Sequence, residues 1–483
     1  VLEGRAAGGI LPDAIDVVLS KCVRHRNRGS LGGYQSAQNK SVSNLGTSKD
    51  SARKIKSPNK CWLYISTPSD HSEANRGEFT MINLESRLSQ RVQSVPPSGI
   101  RRFFEIAATM KDVITLGIGE PDFVSPDAIL KGAHDSMLQG KTGYSANAGI
   151  LPLREAISEE LQRLYGVTYS PKNEILVTVG ASEAVQLAML ALLNPGDEIL
   201  IPEPCFVSYG PTAIFAGATV VYVPTSVEND FQVTAEDIES RITERTKLLF
   251  LAYPSNPTGA VLRREVLEEI AEVVERHDLL VLSDEIYDRL IYGDAFDRGH
   301  TCLPSIESLR ERTVLLGGFS KAYAMTGWRV GFACAPPPIY EAMYKLHQYI
   351  IMSAPTASQW GALAGMKESQ EDVERMRKAY DARRRTIVDG FRAAGLPTFE
   401  PEGAFYCFPD VTSTGLNSED FAQRLLEEEH VAVVPGDAFG PSGAGYVRCS
   451  YANSMENIEE AVRRISRFTA RCQETVHSAV NPG

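Results

Sequence analysis

The residues of this chain best suited to chemistry stand just after short apolar runs. Val314 to Leu316 leads into Gly317 and Gly318, then Ser320 and Lys321, with Arg329 eight residues further on. A lysine delivered by a buried strand can act as a nucleophile or carry a proton, provided its amine is neutral part of the time. Asp284, Glu285, Ile286 and Tyr287 close the run LLVLS, and Asn256-Pro257-Thr258-Gly259 follows LLFLAYPS. Pro204-Cys205-Phe206 follows EILIPE, and Gly180-Ala181-Ser182 follows ILVTV. The set offers a helix start for an anion, an aromatic ring, an amide, a carboxylate near a tyrosine, and a lysine. Taken singly, each has an ordinary explanation. Ser182 can be a helix cap, Phe206 a core aromatic, NPTG a turn, and a lone Lys or Asp a solvated side chain. Their convergence is what points to a site.

The elements that would position them are legible from about Pro126. PDAILKGAHDSML, LPLREAISEELQRLYG, ASEAVQLAMLALL, the stretch around SYGPTAIFAG and REVLEEIAEVVERHD carry helical periodicity. Between them lie short Ile/Leu/Val-rich strands in NEILVTVG, DEILIPEP, ATVVYVPT, TKLLFLA, LLVLSDEIY and TVLLGGFSK. Such alternation predicts an α/β fold, with a mostly parallel sheet covered by helices on both faces. Ligands of these sheets bind outside the carboxyl ends of the strands, where the residues above stand.

Other classes fit poorly. Gly140-Lys141-Thr142 lacks the phosphate loop's first glycine, since Asp135 holds that place, and Gly117-Ile118-Gly119 lacks the third dinucleotide-binding glycine, where Asp122 stands. The eight histidines are isolated, so no metal-ligand set is expected. A net charge of −12 argues against nucleic acid or an anionic membrane as a partner, and no apolar run approaches a membrane span. Eight cysteines without a CxxC pair suit buried free thiols in a reducing compartment, and a cytoplasmic location is expected. Residues 1–80 contain no methionine and no sustained period. They are expected to be a disordered extension or upstream sequence from a mis-assigned start, with a targeting segment as the weaker alternative. Amphipathic helix is expected from Met81, in INLESRLSQRVQSV.

The stretches GIGEPDF, GYSANAGILPLREAI, VTVGASEAV, YPSNPTG, LSDEIY, FSKAYAMTGWRVGF, GAFYCFP and YVRCSYA resemble the fold-type I, class I/II aminotransferases that use pyridoxal 5′-phosphate (PLP), in particular the bacterial and archaeal aspartate/aromatic branch. The likeness runs from about Leu84 to Phe468. It implies a large PLP-binding domain over 125–368, built on a seven-stranded-type sheet. A smaller α+β domain would come from 81–124 and 369–475, with EDVERMRKAYDARRRTIVDGFRAAG bridging to it. It further implies that Lys321 forms the Schiff base and carries the proton, and that Arg329, Ser320 and the amides of Gly180, Ala181 and Ser182 hold the phosphate. Phe206 would stack on the ring, Asp284 pair with its nitrogen, and Asn256 and Tyr287 bond its phenolic oxygen. Arg448 would clamp the substrate carboxylate, with Asn256 and Gly119 beside it. Tyr144 would reach the neighbouring subunit's phosphate, implying a homodimer with shared sites. The activity implied is transfer of an amino group from an L-amino acid to a 2-oxo acid by a ping-pong mechanism. A β-lyase or synthase on the same scaffold, or a PLP-binding regulator, are the alternatives.

Two departures stand out. Gly318 replaces a serine common in the family, so one phosphate contact would be missing or supplied by Ser320. YIIMSAPTASQW has no arginine where enzymes for dicarboxylic substrates supply one from the partner, and no Arg or Lys lies between Lys345 and Lys367. Ile118, Phe206 and Phe405 would suit a neutral or aromatic side chain equally well.

Overall fold

A computed structural model describes residues 83–97 and 110–480. The expectations for residues 1–80 lie outside the described residues.

Seven strands carry the site: β1 (Ile175–Thr178), β2 (Glu198–Glu203), β3 (Thr219–Pro224), β4 (Thr246–Ala252), β5 (Leu280–Asp284), β6 (Thr313–Gly318) and β7 (Gly331–Cys334). Their order in the sheet is β1-β7-β6-β5-β4-β2-β3. Strands β2 to β6 pair in parallel, while β7 runs antiparallel to both β1 and β6. β7 is the strand absent from the sequence expectation. It lies in VGFACA, too short and too close behind the Lys321 loop to separate from it by periodicity alone.

The strands are apolar on both faces because both are covered. Leu248 and Phe250 of β4 face one core with α3 (Gly180–Leu192), α4 (Tyr209–Ala216) and α6 (Pro337–Ile350). Leu249 and Leu251 face another with α5 (Arg264–Arg276). All four are at most 2% exposed, each burial worth roughly 1.5–3 kcal/mol. α5 meets the sheet through Leu267, Ile270, Ala271 and Val274, one helical stripe. Under β1, β6 and β7, Ile175, Val177 and Leu315 pack with α1 (Asp127–Leu138), α2 (Leu151–Tyr165) and α7 (Thr356–Glu368). Register then levels the strand ends. Ala252 pairs with Asp284, Asp284 with Leu316, and Gly318 with Gly331.

A smaller set of elements follows in the C-terminal part. Here α8 (Gln370–Ala393), α9 (Ser418–Glu429) and α10 (Met455–Val480) accompany β8 (Tyr406–Cys407), β9 (Val434–Pro435) and β10 (Val447–Ser450). These strands form an antiparallel sheet in the order β9-β10-β8. Ile114–Thr115 adds a short parallel pairing with Val431–Ala432, and Leu116 joins the core of Tyr380, Phe405, Phe421 and Phe468.

The helix expected in INLESRLSQRVQSV is a correction. Over 83–97 the chain forms only a 3-10 turn, Glu85–Arg87, and one helical turn, Gln90–Gln93, broken by extended backbone at Leu88 and Ser89. Leu84, Leu88 and Val92 are each more than half exposed, so no buried stripe offsets the cost of helix nucleation. The cysteines among the described residues are free and buried, as their apolar settings predicted. Among the described residues no helix is long and apolar enough to cross a membrane.

Candidate active site

The level strand ends open onto one cavity of about 960 Å³. Gly119, Ala181, Ser182, Phe206, Asn256, Asp284, Tyr287, Ser320, Lys321, Arg329 and Arg448 all line it. Gly180 sits directly behind Arg329. Tyr144 is the other predicted residue that does not line it, and it is 84% exposed.

Lys321 follows β6 and donates from Nζ to the Gly119 carbonyl at 2.7 Å. Burial, with Arg448 and Arg329 nearby, pulls its pKa down to about 8 against the pull of Glu120 and Asp284. Its amine is therefore neutral in a usable fraction near neutral pH. Asp284 ends β5, 6% exposed. Its Oδ2 accepts from the Tyr209 hydroxyl at 2.8 Å and its Oδ1 from the Ile286 N–H at 3.2 Å. Burial nevertheless pushes its pKa up to about 6, the state of a carboxylate that a cation placed against it would stabilise.

Arg448 comes from β10, in the other sheet, and is 3% exposed. Its Nη1 donates to Asn256 Oδ1 at 2.9 Å and its Nη2 to the Gly117 carbonyl at 2.6 Å. Its Nε has no partner. The rings of Tyr406 and Phe439 lie 4.6 and 4.8 Å from the guanidinium carbon. Burial lowers its pKa, and the groups opposing that shift are Tyr406, Tyr287 and Cys449, with no carboxylate among them. A buried cation with unused donors and no anion is expensive, and a carboxylate entering the cavity relieves that cost.

On the opposite side an anion cradle forms. α3 begins at Gly180, so its first-turn amides are unclaimed by the helix ladder. Gly180 has φ +73°, and a Cβ there would fall 2.7 Å from Arg329 Nη2. Only glycine lets the guanidinium lie against this helix start. Arg329, itself at φ +53°, is held by a bond from Nη1 to the Thr326 carbonyl at 3.0 Å. Glu183, the acid in the same turn, is occupied by the Val179 N–H at 2.5 Å and by His347 at 2.8 Å. At Gly318 a Cβ would lie 2.9 Å from Ile286 Cδ1 and 3.2 Å from the Gly331 Cα, so a side chain there would need the Ile286 tip and the facing strand to shift slightly.

Sequence reasoning missed two tyrosines. Tyr209 holds Asp284, and the Tyr406 hydroxyl lies 2.8 Å from that of Tyr287. Tyr406 also crowds Gly119, where a Cβ would fall 2.3 Å from its hydroxyl. Tyr406, and not Phe405, lines the cavity; Phe405 is fully buried in the neighbouring core. Phe405 stands just before β8, its ring centroid 4.9 Å from that of Tyr406 and 5.6 Å from Lys321 Nζ, one layer behind the lining. The signal was present in GAFYCFP, whose tyrosine alone carries a polar tip. Trp328, beside Arg329, is half-buried and donates from Nε1 to Ser125 Oγ at 2.9 Å.

A lysine with a depressed pKa, a carboxylate beyond it, an amide and a phenol, and an anion cradle at one end fit a flat phosphorylated ring bearing an aldehyde. Arg448 is left over for a second anion.

The family model for aminotransferase class I and II matches residues 111–465. The chain is 50% identical over 385 residues to a putative aminotransferase, YugH, of Bacillus subtilis, covering 80% of this chain and 99% of that one. It is 46% identical over 382 residues to an aspartate aminotransferase of Pyrococcus abyssi, covering 79% and 97%. The structure of an aromatic aminotransferase from Pyrococcus horikoshii superposes with a TM-score of 0.73 at 45% identity, covering 77% of this chain and 99% of that one.

Proposed function

The chain belongs to the aminotransferase class I and II family, and from that premise we propose that it moves the amino group of an L-amino acid to a 2-oxo acid by a ping-pong mechanism dependent on PLP. The observation that carries this reading is Arg448, a buried guanidinium without an anion, in the same cavity as Lys321 and Asp284.

Lys321 would hold the cofactor's aldehyde carbon, and Arg329, Ser320, Ser182 and the amides of Gly180 and Ala181 its phosphate. Phe206 would cover the ring face, Asp284 pair with the ring nitrogen, and Asn256 and Tyr287 meet the phenolic oxygen. Bound there, the group supplies an electron sink for the pair left when the α-hydrogen departs as a proton. Asp284 keeps a proton on the ring nitrogen, since a buried carboxylate favours a cation beside it. Lys321 Nζ takes the proton from the α-carbon and returns it one position away. Arg448 grips the substrate carboxylate in a two-pronged bond and fixes which bond at the α-carbon faces Lys321. In this reading the small domain, 81–124 with 369–475, closes Arg448 and Gly119 towards Lys321 on the domain of 125–368.

The cavity favours an uncharged or aromatic side chain. Its cations, Lys321, Arg329 and Arg448, each have a task; Asp112 and Glu120 would repel a second carboxylate, Ile118 and Phe206 are apolar walls, and Tyr406 adds an aromatic ring whose hydroxyl is engaged with Tyr287. A homodimer is supported by the exposure of Tyr349, Ile350, Ile351 and Met352 (43–89%), next to the Tyr144 loop through the Asn147 Nδ2 bond to the Met352 carbonyl at 2.8 Å. Tyr144 would then serve the partner's phosphate. A reducing compartment such as the cytoplasm suits the buried free thiols.

The test is the visible spectrum of the cofactor-loaded protein against a panel of amino acids. Bleaching by an aromatic donor more than by aspartate, reversed by a 2-oxo acid, is expected. A yellow protein that no amino acid bleaches would remove the transaminase reading in favour of a lyase, which product analysis would identify.

A further inference from the structure

Behind Asp284 lies a second set of buried charges to which the reading above gives no task. Glu285, the next residue, is 5% exposed. Its Oε1 accepts from Ser283 Oγ at 2.8 Å and from the Leu303 N–H at 2.9 Å, and its Oε2 pairs with His300 Nε2 at 2.6 Å. The two side chains of this pair are 7% and 5% exposed. Glu285 is thus a buried anion one residue from the carboxylate that must hold the ring nitrogen, and two residues from Tyr287. Its charge opposes ionisation of Asp284.

His300 is the group placed to cancel that charge. It is faced by Glu285 and Asp288 from the turn after β5 and by the Tyr165 ring of α2 edge-on at 5.5 Å, while the Cys302 thiol interacts with Glu285. Asp288 is already engaged, by the Tyr165 hydroxyl at 2.7 Å and the Arg289 N–H at 2.8 Å. Burial alone would strip the proton from His300, but Glu285 and Asp288 outweigh it and hold the imidazole's pKa above its ordinary value.

We propose that His300 is a positioning residue for the reaction: as an imidazolium locked to Glu285, it neutralises the charge immediately behind Asp284 and leaves Asp284 to set the proton affinity of the centre. The inference rests on the PLP reading above. A pair that merely ties the 300–303 loop to β5 would show the same contacts, so the test has to read charge and not folding.

The experiment is a pH titration of the visible absorption of the cofactor-loaded protein for wild type, H300Q, E285Q and H300Q/E285Q. Removing the cation alone leaves an uncompensated buried anion, so the H300Q midpoint is expected to move up by roughly one pH unit. The double variant has lost both charges and is expected to return to within about a quarter of that shift. An unmoved H300Q midpoint, or a double variant displaced further than either single one, would overturn the proposal. Should H300Q fail to fold, E285Q alone decides: a midpoint level with or below wild type supports it, and a rise overturns it. A wild-type protein with no visible band defeats the cofactor reading and this inference together. A normal wild-type band with an immovable midpoint defeats this inference alone.

Discussion

Two buried arginines show how the same side chain serves opposite ends. Arg384, on α8, has a side chain 7% exposed, and its Nε donates to Asp381 Oδ1 at 3.0 Å while Nη1 meets Glu400 and the Pro401 carbonyl. Arg448, on β10, is as deeply buried and likewise lies against a tyrosine ring, but its bonds go to an amide and a carbonyl. Burial pulls the pKa of both down. At Arg384 the carboxylates Asp381 and Glu400 outweigh it and the pKa ends raised; at Arg448 nothing does and it ends lowered. A satisfied charge holds the fold together, and an unsatisfied one waits for a ligand. Lys321, depressed by the same burial, belongs with the second kind.

Breaking this contrast should cost most where the charge is unsatisfied. Lys321→Ala is expected to lower turnover by at least ~10³-fold while the chain still folds, because proton transfer at the α-carbon then has no carrier. Single-turnover bleaching with excess amino acid checks it, and turnover near wild type would end the assignment. Arg448→Ala is expected to raise KM about 100-fold for every amino acid alike, the loss of a charge-assisted two-pronged bond. An effect confined to one donor would mean that this arginine reads a side chain.

Arg384→Ala should do the reverse, removing about 2 kcal/mol of stability by denaturant titration and leaving KM within about twofold. The estimate is modest because Glu400 is partly exposed and relaxes into water. The contrast can be sharpened without mutation. With a pKa of about 8, Lys321 gains its neutral form as pH rises, so capture of added cofactor by the apo protein should quicken about tenfold between pH 7 and 9. The appearance of the yellow band measures this. A flat profile would place the amine's pKa elsewhere.

Much of this was legible in the sequence, and the limits follow a pattern. β4 and β5 read as strands because apolar runs of that length have no other use between amphipathic helices. Lys321, Asp284 and Asn256 stood out because a parallel sheet delivers its strand ends to one edge. β7 was lost because an antiparallel return immediately behind a functional loop has no helix to announce it. Tyr209 and Tyr406 were lost for a different reason. Their partners lie 75 and 119 residues away in sequence, and no local pattern encodes such a meeting. That Tyr406 lines the cavity while Phe405 lies one layer behind it depends on packing against distant elements, which composition does not encode.

The stretch from Gly117 to Asp122 deserves a last thought. The Gly117 carbonyl takes Arg448, the Gly119 carbonyl takes Lys321, and Asp122 receives both Nη atoms of Arg383 on α8 at 2.8 Å. Both working cations are thereby moored to a single span of six residues, and that span is itself anchored to the long helix. A ligand that drew either cation away from its carbonyl would free one of the two bonds that hold this span against the cavity, so the two cations share one backbone support.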